Sequence, residues 1–156
     1  KEKGADYQGF LESHARISRD NARTPMQWDA TEQAGFTTGK PWLAVNKNYP
    51  KLNVAAQEKN PGSVLNYFKK MIQFRKENLV LVYGAFTLID ENNKQLFAYT
   101  RSLDEQTFLV VLNFSNTDAV LNTTLNITES KVLIGNYESP ATRNLFRPFE
   151  AVIFKL

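Results

Sequence analysis

The sequence predicts a mainly β protein: an antiparallel Greek-key β-sandwich over residues 80–156, preceded by one helix at 61–78 and a long loop region. Three changes of texture carry that expectation. From Leu79 onward, short apolar runs alternate with a period of about 2 and are separated by polar clusters at roughly ten-residue spacing, the mark of hairpin-linked strands. Residues 61–78 repeat their apolar positions at the helical period instead. Residues 1–61 keep neither period and are studded with turn formers such as Asp20-Asn21, Thr24-Pro25, Gly39-Lys40-Pro41, Asn48-Tyr49-Pro50 and Asn60-Pro61.

Taken in order, the first zone offers a short helix over Tyr7–Arg16, on the helical spacing of Tyr7, Phe10, Leu11 and Ala15. The rest of that zone is too long a loop for an autonomous domain, because its main-chain N–H and C=O groups need partners. Either it is a functional loop or it belongs against something else. The helix at 61–78 starts with Asn60 as N-cap and Pro61 in the first position, and Asn78 suits its end. Val64, Leu65, Phe68, Met71, Ile72 and the stem of Arg75 form one stripe, widened by Tyr67 and Phe74, so neighbours are expected on more than one side. That stripe needs cover from the sandwich, from the N-terminal segment or from another copy of the chain. The candidate strands are Val80–Tyr83, Ala85–Ile89, Gln95–Arg101, Thr107–Phe114, Ala119–Asn122, Lys131–Asn136, Thr142–Leu145 and Glu150–Lys155. Asp90-Glu91-Asn92-Asn93 and Ser102-Leu103-Asp104-Glu105 supply hairpin turns, and Leu109-Val110-Val111-Leu112 is apolar on both faces and therefore central.

Composition narrows the function classes. A chain of 156 residues with 42% hydrophobic and 22% charged residues is globular, and too short for a complete barrel enzyme. It contains no apolar run long enough for a membrane span and no visible secretory signal. Zero cysteines exclude disulfides and thiolate chemistry, and His14 alone cannot make a histidine metal site, so no cofactor or metal is expected and a reducing cytoplasm is compatible. Residues 1–79 carry 13 Lys/Arg against 8 Asp/Glu, while residues 80–156 carry 6 against 8. The positive excess is scattered, without the basic stripe that a nucleic-acid partner requires. Three Asn-x-Ser/Thr sequons, at Asn113, Asn122 and Asn126, are read as polar strand and turn residues.

No catalytic constellation is self-contained: there is no nucleophile elbow and no glycine-rich phosphate loop. Asp20, Asp29 and Glu32 could in principle supply an acidic pair for sugar chemistry, but each lies in polar loop sequence that suits solvated charge. The dense feature is Ser18–Asp29, followed by Ala34–Thr37 and Pro41-Trp42. Arg19 and Arg23 bracket hydrogen-bonding residues with aromatics close behind, which gives planar donors for hydroxyls and ring faces for sugar stacking. The same composition also serves an arginine–aspartate knot that holds a long loop.

Three segments carry a resemblance: SRDNARTPMQWD at 18–29, AGFTTGKPWLAVNKNYPKLNV at 34–54 and PGSVLNYFKKMIQFRKEN at 61–78. In that order they resemble the C-terminal third of glycoside hydrolase family 13 enzymes of the oligo-1,6-glucosidase type. Dextran glucosidase, trehalose-6-phosphate hydrolase, maltose-type α-glucosidases and sucrose isomerases share the first motif, so it names the group rather than the substrate. The resemblance implies that residues 1–79 are the remnant of a truncated catalytic (β/α)8 barrel, with the long loop after strand 8 and the final barrel helix at 61–78. Residues 80–156 are then the family's domain C. It further implies a cytoplasmic bacterial α-glucosidase, retaining in mechanism and acting on oligosaccharides, whose catalytic carboxylates lie on earlier strands, so none is assigned here. By the same resemblance Arg19 holds the terminal glucose, Arg23 assists, and Asp20 orients the arginines, while Trp28 and Phe36 pack the loop. The remainder of the barrel, and a non-native dimer of the fragment, are the implied protein partners. The competing reading is a non-catalytic carbohydrate-binding sandwich. Exposed aromatics on one sheet face favour it; a buried aromatic face against 61–78 favours a domain-C scaffold.

Overall fold

The computed structural model describes residues 7–139 and 144–156. Its helices are α1 (Tyr7–Ile17), α2 (Val54–Lys59), α3 (Val64–Glu77) and α4 (Val80–Tyr83). Its strands are β1 (Ala85–Ile89), β2 (Leu96–Leu103), β3 (Gln106–Asn113), β4 (Ala119–Val120), β5 (Lys131–Gly135), β6 (Leu145–Phe146) and β7 (Ala151–Lys155). The chain divides into two compact units, Lys1–Phe68 and Lys69–Leu156, and the division falls inside α3.

The second unit is the mainly β one. A five-stranded antiparallel sheet runs in the order β1-β2-β3-β7-β5, and β4 pairs with β6 in a separate two-stranded sheet. The chain crosses to the small sheet at β4, returns to the far edge as β5, crosses again at β6, and fills the gap between β3 and β5 with β7. That is the expected Greek-key connection. Alternation along β3 and β7 sends side chains to two cores. Leu109, Val111, Val152 and Phe154 face the small sheet and meet Ala119, Leu121 and Phe146. Phe146 sets its edge on Phe154, 6.3 Å between ring centres. Phe108, Val110 and Ile153 face the other way, joining Val80 and Leu81 of α4 and the partly buried Met71 and Phe74 of α3. Burying each such side chain contributes roughly 1.5–3 kcal/mol. Phe74 stacks on Phe108 at 6.4 Å. The C-terminal part of α3 therefore finds cover on the sandwich.

Several sequence expectations need correction. Val80–Tyr83 is a helical turn and not a strand. Leu81 N–H donates to Asn78 O and Tyr83 N–H to Leu79 O, so Asn78 starts a second turn directly after α3. α3 itself starts at Val64, three residues later than expected, because Pro61-Gly62 form a turn and Ser63 caps the helix. The Ser63 hydroxyl accepts from Asn66 N–H at 3.1 Å and donates to Gln57 O at 2.7 Å. Asn60 ends α2 instead. The stripe of α3 is also rotated: Met71 and Phe74 are covered, whereas Val64, Phe68 and Ile72 remain exposed. The strand expected at Thr142–Leu145 falls partly outside the described residues, and pairing is seen at Leu145–Phe146. Asn113 is buried, with its amide donating to Thr117 O, Phe146 O and Arg147 O, which makes that sequon a structural clamp. The turn before β7 is pinned by the fully buried Glu150 carboxylate, which pairs with Arg147 at 2.9 Å.

Candidate substrate-binding loop

The arginine-rich segment follows directly from α1. Ser18 N–H donates to His14 O, and the Ser18 hydroxyl accepts from Asp20 N–H at 3.3 Å, which caps a 3-10 turn over Arg19–Ala22. Arg23 N–H closes the turn on Asp20 O at 3.1 Å. Arg19 and Arg23 thus sit one turn apart, both exposed. Asp20 is exposed as well, and no ion pair among the described residues joins its carboxylate to either arginine. Its link to Arg23 runs through the main chain.

Beyond Arg23 the chain is extended and clamped on both sides. Thr24 accepts from Asn46 Nδ2 at 3.2 Å, and Gln27 Nε2 donates to Asn48 Oδ1 at 3.2 Å and to Leu52 O. The first two N–H groups of α2, Val54 and Ala55, donate to Gln27 O and Trp28 O, both at 2.9 Å. From the other side, Trp28 N–H and Asp29 N–H share Ala34 O. That carbonyl is presented by a left-handed turn in which Gln33, Ala34 and Gly35 take φ of 51°, 57° and 65°. Asp29 fixes the turn's entry by accepting from Thr31 N–H at 2.8 Å and from its hydroxyl. The hydroxyl bond, then the main-chain N–H, hold the Asp29 carboxyl below its ordinary value. Asp29 is therefore engaged locally, and its carboxylate serves the loop rather than an acidic pair.

The frame brings Arg23, Pro25, Met26, Phe36, Pro41 and Trp42 around a cavity of 270 Å³. It is largely apolar, with Arg23 as the one cation among its lining residues and Trp42 90% exposed. An aromatic plate beside a planar five-donor cation suits a sugar ring, which offers an apolar C–H face and hydroxyls at its edge. Arg19 and Trp28 do not line this cavity. No local pattern in the sequence marks the clamping roles of Gln27 and Asn48 or the left-handed turn at Gln33–Gly35, whereas Asn53 before VAAQEK is a readable helix cap that accepts from Ala56 N–H. Among the described residues no group of His, Asp or Glu is placed to hold a metal ion, and no helix is long and apolar enough to cross a membrane.

Comparison with known proteins adds to this geometry. Residues 1–84 match the family model for the alpha amylase catalytic domain, and residues 86–153 match that for the maltogenic amylase C-terminal domain. The oligo-1,6-glucosidase of Bacillus cereus is 43% identical over 160 residues, covering 99% of this chain and 29% of the relative. The trehalose-6-phosphate hydrolase of Bacillus licheniformis superposes with a TM-score of 0.87 at 33% identity, over 97% of this chain and 29% of that one. The isomaltulose synthase of Erwinia rhapontici NX5, solved with its natural substrate sucrose, gives 0.84 at 38% identity, over 97% and 28%. The chain therefore spans about 29% of the length of the curated relatives that it matches.

Proposed function

The chain belongs to the alpha-amylase family, and on that premise we propose that it is the C-terminal part of a cytoplasmic α-glucosidase of glycoside hydrolase family 13. The whole enzyme hydrolyses terminal α-1,6- or related α-glucosidic bonds of short oligosaccharides with retention: of two carboxylates about 5–5.5 Å apart, one attacks the sugar to form a glycosyl-enzyme intermediate while the other protonates the leaving oxygen and then activates the water that releases the sugar. Those carboxylates belong to upstream barrel strands. In this division residues 1–79 complete the barrel, with the arginine loop and its last helix, and residues 80–156 are the accompanying sandwich. Arg19 holds the terminal glucose, Arg23 binds beside it, and the Asp20 carboxylate orients them once substrate and barrel are in place.

The observation that carries this reading is Arg23 on the rim of a cavity faced by Phe36 and Trp42, within a segment clamped from both sides. The carbohydrate-binding sandwich stands as the second reading: Phe108 of the sheet is buried against Phe74 of α3, which favours the scaffold role, whereas Phe86 and Phe97 on the same sheet face are exposed, which favours binding. Trehalose-6-phosphate hydrolysis and sucrose isomerisation remain the family alternatives, since relatives bearing those names match over the same residues.

The test is an assay of the longest open reading frame that contains this sequence, against isomaltose, trehalose 6-phosphate and sucrose, beside the 156-residue chain alone. The longer protein is expected to release glucose from isomaltose and the short chain to release none. Arg19→Ala in the longer protein should lower kcat/KM by the equivalent of roughly 2–4 kcal/mol, the scale of a lost charged hydrogen bond at a buried site. Turnover by the short chain, or unchanged kinetics in the variant, would overturn the assignment.

A further inference from the structure

We infer that the open edge of the five-stranded sheet, strand β1, is a self-pairing surface whose partner is β1 of a second copy of this chain. β1 ends the sheet and is paired on one side only, to β2. Among the described residues, no hydrogen bond from elsewhere in the chain reaches the main chain of Ala85–Ile89 on its outer side. Four of its five residues are exposed. The opposite edge, β5, has the features that discourage pairing with another sheet: Lys131 at its start, a bulge between Val132 and Ile134, and Gly135 at its end. β1, reading Ala-Phe-Thr-Leu-Ile, has no charge, proline, glycine or bulge, and is rich in strand-forming residues. One edge of the sheet is guarded and the other is not.

The strand is also complementary to itself. Antiparallel pairing about a two-fold axis at Thr87 sets Ala85 opposite Ile89, Phe86 opposite Leu88 and Thr87 opposite its own counterpart. Directly opposed residues share a face, so each Phe86 ring meets a Leu88 side chain. That face carries an aromatic run in which the half-buried Tyr99 lies between two exposed rings, 5.0 Å from Phe86 and 5.4 Å from Phe97. Phe86, Phe97 and Leu88 are 51%, 42% and 40% exposed. A two-fold axis normal to the sheet keeps the runs of both copies on one side and joins them into a single covered patch. The acidic pair after β1, Asp90-Glu91, falls opposite Gly84 and Tyr83 of the other copy, so no like charges meet. The main-chain groups ask for a strand, and the side chains and charges fit this one reversed.

The interface is small, so association should be visible only at high concentration. Sedimentation at about 100 µM should give a mass near twice the 17.8 kDa of the chain, with β1 amides exchanging more slowly than in a dilute sample. Thr87 is exposed, so Thr87→Lys and Thr87→Glu should each fold, yet each sets like charges opposite one another at the axis. Each variant alone should need up to about fivefold more protein to dimerise. An equimolar mixture of the two should regain the dimer, because Lys then faces Glu. A monomeric parent chain, a dimer indifferent to both substitutions, or a mixture that stays apart would each overturn the proposal. So would slow β1 amides in a monomeric longer protein, which would assign the edge to upstream chain.

Discussion

Asp29, Thr31 and Gly35 make one contact set in which each residue type is required. A carboxyl whose folded pKa lies below its unfolded value stabilises the fold above the unfolded value and loses that contribution as pH falls through the folded one. Asp29 is lowered in this way by the Thr31 hydroxyl and N–H, so the turn at 29–35 should loosen as pH drops below about 4, and Thr31→Val should move that loosening to higher pH. Gly35 has no room for a side chain: a Cβ would lie 2.8 Å from both Asp29 carboxylate oxygens, at a φ of +65°. Gly35→Ala should cost roughly 1–2 kcal/mol from the left-handed backbone alone. Amide exchange at Trp28 and Asp29, whose N–H groups rest on Ala34 O, reads both effects, and unaltered exchange in Gly35→Ala would refute the strain. Arginines beside aromatics mark Arg19 and Arg23 as sugar-binding candidates in the sequence, and of the two only Arg23 lines the cavity with Phe36 and Trp42. The turn is not legible there, because Gln33 and Ala34 are residue types that give no sign of positive φ, and only Gly35 hints at it.

At the scale of elements, α4 shows how context overrides propensity. Val-Leu-Val-Tyr favours a strand by type, yet two arginines from neighbouring elements donate to its carbonyl groups. Arg75 of α3 donates to Leu81 O, and Arg101 of β2 donates to Val82 O at 3.0 Å. Gly84 then ends the turn, with its N–H on Val80 O at 3.0 Å and no space for a Cβ, which would lie 2.4 Å from that oxygen. Long-range donors of this kind are invisible to a reading of local periodicity. The same limit displaces the start of α3: the sequence pattern sets Asn60 as the cap and Pro61 as the first helical residue, whereas Ser63, tied to Gln57 across the preceding turn, is the cap. Arg101→Met keeps the aliphatic stem and removes the donors, so it should destabilise the second unit by about 1.5–3 kcal/mol in denaturant unfolding. Lys at the same position should recover part of the loss. A Met variant as stable as the parent would mean that α4 is held by Val80 and Leu81 packing alone.

The whole molecule is uneven in what holds it together. Both apolar clusters lie in the second unit, and among the described residues the first unit buries only two small apolar side chains, Pro25 and Ala34. The first unit rests on hydrogen bonds among Gln27, Asn46, Asn48, Asn53 and Asp29, several of them exposed to competing water. Each contributes about 0.5–1.5 kcal/mol net, against a comparable loss of backbone freedom for every residue ordered. Native-state hydrogen exchange should follow this contrast. Amides of Thr107–Asn113 and Ala151–Lys155 lie on the paired strands β3 and β7 between the two cores, and should open only with global unfolding. Those across Arg19–Pro50 should exchange through local opening at far lower cost, with Trp28 and Asp29 the slowest among them. If a longer protein supplies the barrel that the family reading requires, the same amides should slow there by orders of magnitude while β3 hardly changes. Uniform protection in the 156-residue chain would show that residues 1–60 need no further support, and would remove the physical ground for placing their loops against a barrel.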